Sequence, residues 1–145
     1  LPEQATPLEI GQAEVIRHGQ SGQAVLVFGP FLEAARTAAA EADATVVNMR
    51  FVKPLDTALL GELSASHNRL ITIEENAIAG GAGEAVRQAL AEIGATTAVT
   101  CLGLPDQFVP QGERKDLLAG YGLDTDGLRA ALAAEPAIAP QWVGQ

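Results

Sequence analysis

The chain is poor in the residues that most often announce chemistry. It holds one cysteine, Cys101, in 145 residues. No intramolecular disulfide is possible, which suits a reducing compartment. Cys101 lies in the apolar run "AVTCLGL" and reads as a buried strand residue, since nothing nearby in sequence would lower its pKa and make it a nucleophile. The two histidines, His18 and His67, stand in no E-x-x-H or C-x-x-C spacing, which argues against a metal site. His67 falls at the end of an apolar-periodic segment, where a helix dipole favours a cation. There is no Gly-x-Ser-x-Gly elbow, so no hydrolase signature. No apolar run approaches the roughly 20 residues of a membrane span. Basic residues are scarce: nine lysines and arginines against 18 acidic residues give a net charge of −9. Such a surface disfavours nucleic acid and anionic membranes, because few cations remain to meet phosphates. The expectation is a soluble, cytoplasmic protein. The opening "LPEQATPLEI" has neither a basic end nor an apolar core and is not read as a signal peptide. It starts without methionine and contains proline, as expected of a linker arriving from a preceding domain.

What is present is ample apolar content, 48%, for one core in one domain. Residues 1–12 read as the linker, 13–135 as the domain and 136–145 as a tail without periodicity. Within the domain, strand-like and helix-like segments alternate. Ala13–Gly19 and Ala24–Gly29 read as strands, and the tight turn "QSGQ" makes them antiparallel. The alanine-rich stretch from Pro30 to Ala42 reads as a helix with proline in its first turn. A strand follows within Ala44–Val52. Pro54–His67 reads as a helix with Asp56 as N-cap and Leu55, Leu59, Leu60 and Leu63 at helical spacing. Next come a strand at Arg69–Ile73 and a helix at Gly83–Gly94. That helix places Val86, Leu90 and Ile93 on one face and stops at Gly94. Thr97–Leu104 is the last strand, followed by two short amphipathic helices, the second capped by Asp124. Such alternation predicts βαβ units in an α/β, three-layer fold: a mostly parallel five-stranded sheet with the first strand antiparallel at an edge. Continuous apolar runs in the central strands fit a sheet covered on both faces.

In sheets of this kind ligands bind beyond the carboxyl ends of the strands. Three segments fall there. "EENAIAGGAG" carries Glu74, Glu75, Asn76, Gly80, Gly81 and Gly83. A dinucleotide fingerprint would need glycine where Val86 stands, and a phosphate loop would need a lysine that is missing. Two adjacent carboxylates would also repel a diphosphate. The glycines therefore read as letting the loop turn and the helix approach the sheet, with Glu74 and Glu75 left for packing or a subunit contact. "NMRFVKPLD" carries Arg50 and Lys53, which are placed to meet a substrate phosphate or carboxylate or, more simply, to pair with Glu74 or Glu75. "GLPDQFVPQG" is a rigid loop with Pro105, Asp106 and Phe108. It suits a contact between domains or subunits, with Asp106 capping a turn or acting as an acid or base. The residues alone give an architecture and no convincing catalytic set.

These segments, in this order and spacing, resemble the C-terminal domain of the 1-deoxy-D-xylulose-5-phosphate synthase family. "VVNMRFVKPLD", "SHNRLITIEENAIAGGAGEAV", "GLPDQFVPQG" and the closing "GLDTDGLRAAL" carry the resemblance, which runs from about Thr6 to about Ala134. It implies a transketolase C-terminal-like fold in a larger, homodimeric transferase that condenses pyruvate with D-glyceraldehyde 3-phosphate. Thiamine diphosphate and Mg²⁺ would be held by preceding domains absent from this chain. It further implies that this domain contributes no catalytic, cofactor-binding or metal residue. Arg50, Lys53, Asp56, Glu74, Glu75, Asn76, Gly80, Gly81, Gly83, Pro105 and Asp106 would then have structural or interface roles. Two other readings stay open: a standalone α/β module binding a small ligand or partner, and the C-terminal domain of a 2-oxoacid dehydrogenase beta subunit.

Overall fold

The computed structural model describes residues 7–135. The expected tail at 136–145 and the first half of the expected linker lie outside them. Five strands and five helices follow one another as β1 (Glu14–Arg17), β2 (Gln23–Val27), α1 (Leu32–Ala42), β3 (Thr45–Asn48), α2 (Thr57–Ser66), β4 (Arg69–Ala77), α3 (Ala82–Glu92), β5 (Ala98–Leu104), α4 (Arg114–Gly120) and α5 (Thr125–Ala133). The sheet order is β1-β3-β2-β4-β5. β2, β3, β4 and β5 are parallel, and β1 is antiparallel at one edge.

The order explains the layers. From β2 the chain crosses to β3 on one side, then returns past β2 to β4 and on to β5. Crossovers of one hand made in opposite directions must lie on opposite faces. Accordingly α1 and α5 cover one face, closing over Val25, Val27, Ile71 and Ile73. Helices α2 and α3 cover the other, closing over Ala24, Leu26, Phe28 and Leu70. The alternation along β2 and β4 is the period-2 pattern of a strand buried on both faces.

Several elements differ from the sequence reading. β1 and β2 do run in opposite directions, but they are not paired: β3 lies between them, with Glu14 opposite Asn48. The short turn fixed direction and not adjacency. Pro30 sits two residues before α1, whose N-cap is Phe31. β4 continues past Ile73 to Ala77, so Glu74, Glu75 and Asn76 belong to the strand. Ile93 is half exposed because it is the C-cap of α3, where the chain turns off the core. Cys101 is half-buried, since β5 is an edge strand. The caps of α2 and α5 match the sequence: Asp56 accepts from the Leu59 N–H at 3.0 Å and Asp124 from the Gly127 N–H at 2.8 Å. Gly94, at φ 71°, closes α3 by donating to the Ala91 carbonyl while Ala95 donates to that of Leu90.

Candidate functional site

The carboxyl end of β4 meets the N-terminus of α3 at a carboxylate. A helix start leaves its first amides without partners and carries partial positive charge. The N-cap of α3 is Gly81, which has no side chain to offer. Glu74 supplies one instead. It is fully buried, and its Oε2 accepts from the Ala82 N–H at 2.7 Å while Oε1 accepts from the Gly83 N–H at 2.8 Å. The Gly80 N–H donates to Glu84 Oε2 at 2.7 Å, adding a second carboxylate to the same helix end.

The glycines around Glu74 are set by contact distances. A Cβ on Gly81 would stand 2.5 Å and 2.7 Å from the two Glu74 carboxylate oxygens. One on Gly83 would stand 2.7 Å from both Cys101 Sγ and Thr72 Oγ1, and one on Gly103 would stand 3.3 Å from Glu74 Cγ. Gly80 differs: its φ is 72° and a Cβ would meet nothing within 4 Å, so the backbone conformation alone selects glycine there. Thr72 Oγ1 is buried with no hydrogen-bond partner among the described residues.

The other residues singled out in the sequence do not converge on Glu74. Glu75, next along the strand, is half exposed and accepts a two-pronged contact from Arg114 at the start of α4, with Nε at 2.7 Å from Oε1. Arg114 holds the Glu75 carboxyl below its ordinary range, and partial desolvation opposes the shift. Arg50 pairs with Glu14 of β1, and its backbone is left-handed at φ 58°. Lys53 is exposed and has no ion-pair partner among the described residues. The expected pairing of Arg50 or Lys53 with Glu74 or Glu75 is therefore not formed. The reason is topological: β2 separates β3 from β4, so those strand ends stand two spacings, about 9.6 Å, apart. Asp56 does more than cap α2, because its Oδ2 also accepts from the Ala13 N–H at 3.0 Å and anchors the segment before β1. Asn76 and Asp106 are exposed, and Pro105, half-buried, accepts at its carbonyl from the Gln107 N–H at 2.8 Å. His67 ends α2, its N–H bonded to the Leu63 carbonyl and its Nε2 2.9 Å from Thr45 Oγ1.

A buried arginine at the opposite end of the sheet escaped the sequence reading. Arg69, at the start of β4, donates to the Ala134 carbonyl at 2.5 Å and to Thr100 Oγ1 at 3.3 Å and 3.1 Å. It borders a cleft of about 390 Å³ between the strand starts and the end of α5. Burial depresses its guanidinium pKa, and the Glu135 charge opposes this. An arginine that follows His67 and Asn68 gives no hint of burial; only the apolar run that begins at Leu70 marks the strand.

A helix N-terminus at a strand's carboxyl end suits a phosphate, and at α3 the Glu74 carboxylate already occupies the first amides. A diphosphate would have to displace a buried anion and face Glu84 as well. The residues present do not fit such a group. Among the described residues no group of three or more histidine, cysteine, aspartate or glutamate side chains is arranged to hold a metal ion. No helix among them is long and apolar enough to cross a membrane.

Residues 11–128 match the family model described as "Transketolase, C-terminal domain". The chain is 49% identical over 138 residues to the 1-deoxy-D-xylulose-5-phosphate synthase of Thioalkalivibrio sulfidiphilus, covering 95% of this chain and 21% of that protein. It is 51% identical over 126 residues to that of Pseudomonas syringae pv. tomato, covering 87% and 20%. The chain thus spans about a fifth of the length of these relatives. A solved split-gene transketolase, described as an inactive beta4 tetramer, superimposes with a TM-score of 0.77 at 31% identity, covering 91% of this chain and 45% of that one. The chain belongs to the transketolase C-terminal domain family.

Proposed function

We propose that this chain is the C-terminal domain of a thiamine-diphosphate-dependent transferase that joins pyruvate to D-glyceraldehyde 3-phosphate, with loss of carbon dioxide, to give 1-deoxy-D-xylulose 5-phosphate. The parent would be a cytoplasmic homodimer. Its other domains would hold the cofactor, Mg²⁺ and both substrates, and residues 13–135 would form the folded unit behind a linker. In this reading the present domain is structural and inactive alone. Arg50, Asp56, Glu74, Glu75 and the glycines build its sheet ends, and Lys53, Asn76, Pro105 and Asp106 are left for contacts. The observation that supports the non-catalytic role is Glu74: its buried carboxylate fills the N-terminus of α3, beside the glycine cluster, and leaves those amides closed to a ligand phosphate. The bound cofactor supplies the carbanion chemistry, and no residue here is assigned a part in it.

The test is an assay of the full-length polypeptide and of the 145-residue chain with pyruvate, D-glyceraldehyde 3-phosphate, thiamine diphosphate and Mg²⁺, read by mass spectrometry of the product. Product from the full-length protein and none from the chain is expected. Product from the chain alone overturns the structural role, and its absence from the full-length protein overturns the parent activity.

A further inference from the structure

Among the described residues six large apolar side chains stand exposed: Leu8, Ile10, Val52, Ile93, Phe108 and Val109. Their distribution over the fold is uneven. Val52 follows β3 and Phe108 and Val109 follow β5, so all three lie at the carboxyl ends of parallel strands. Leu8 and Ile10 precede β1, which is antiparallel and starts opposite the last residue of β3. A Cβ on nearby Gly11 would stand 2.9 Å from Pro54 Cγ, which fixes that segment against the loop after β3. Five of the six therefore sit on one rim of the sheet, and Ile93 alone is at the other end. Phe108 is as exposed as a side chain on an extended peptide, at 103%. Single exposed apolar residues are ordinary, but these five stand at one end of the sheet, beside both of its edges, and mark that end as a contact surface.

We propose that this rim is the seat for the part of the same polypeptide that precedes the domain. The inference rests on the C-terminal-domain reading above and deepens it by naming the surface. The occupant follows from two observations. The described chain enters the fold at this rim, through Leu8 to Ala13, so in the C-terminal-domain reading the preceding polypeptide arrives there. The chain matches only about a fifth of its synthase relatives' length, so a large body is available to cover it. The rim also carries Lys53 without an ion-pair partner among the described residues, and an acidic group on the covering surface would complete it.

The test uses the full-length polypeptide with a photo-crosslinking p-benzoylphenylalanine placed at Phe108, at Val52, or at Ile93 as control. Heavy- and light-isotope copies are mixed to separate cross-links within a chain from those between chains. The Phe108 and Val52 probes are expected to link to residues before Leu1 of the same chain, and the Ile93 probe to give no such product. Two rim probes keep the test open should one variant fold poorly, and retained product formation shows folding. Cross-links from the rim only to a second copy overturn the proposal, as do equal yields from Ile93 or none from either rim probe. An unmodified full-length protein that makes no 1-deoxy-D-xylulose 5-phosphate overturns the parent activity instead, whatever the cross-links show.

Discussion

Helices α2 and α3 lie side by side on one face of the sheet, and each begins beneath a carboxylate. In α2 the carboxylate is local: Asp56 is the N-cap and bonds the Leu59 amide three residues on. In α3 it comes from the neighbouring layer: Glu74 reaches from β4 across a glycine N-cap and holds two amides at once. The local cap sets where a helix starts. The distant one also sets where the helix stands on the sheet, because strand and helix share a buried charge. Its glycine neighbours follow, since Gly81 and Gly83 leave no room for a Cβ. A local cap tolerates many neighbours and an inter-layer cap dictates them.

The widest gap between the two should appear on removing the carboxylates. Glu74→Ala leaves two buried amides without an acceptor and is expected to cost about 3 kcal/mol, since hydrogen bonds to charged groups contribute about 1.5–3 kcal/mol. Urea denaturation of the chain measures it. In the full-length protein thiamine diphosphate affinity should stay unchanged by titration, and a large affinity loss with an intact dimer would defeat the structural assignment. Asp56→Ala should cost about 1 kcal/mol, the usual worth of an N-cap, together with faster hydrogen exchange at Ala13, which loses its acceptor. Equal losses in the two variants would erase the distinction drawn here.

The smallest effect concerns Glu75, whose bond to Arg114 is exposed. Its carboxyl pKa is lowered from 4.5, by the Arg114 hydrogen bond first. A depressed pKa gives stability that is present above the unfolded value and is lost as pH falls through the folded one. Glu75→Gln should therefore leave the melting temperature near neutral pH almost unchanged, as for other surface pairs. It should flatten only the acid limb below pH 4.5. A pH-independent drop would assign Glu75 a packing role instead.

The same contrast accounts for what the sequence disclosed. Asp56, Asp124 and Gly94 act on amides and carbonyls within a few residues, so their types and positions suffice to read them. The alternating layers were legible for a similar reason, because each element carries its own period. Glu74 was recognised as lying at a strand end but not as buried. Glutamate normally stays in water, and the two amides that satisfy it lie on another element. The true partner of Arg50, Glu14, is not legible because sequence does not state that β2 stands between β3 and β4. Arg69 gives no signal of its burial in sequence, because its principal acceptor, Ala134, is 65 residues away.

The described chain enters at one end of the sheet, beside Pro54 and the start of β1, and leaves at the other, where Arg69 grips the Ala134 carbonyl. Tension applied between those points would run along the strands. β1 would be drawn along its own axis past β3, loading its ladder bonds together in shear rather than peeling them one at a time, because those bonds lie across the strand direction. A domain threaded in this way resists extension better than its four-residue edge strand would lead one to expect.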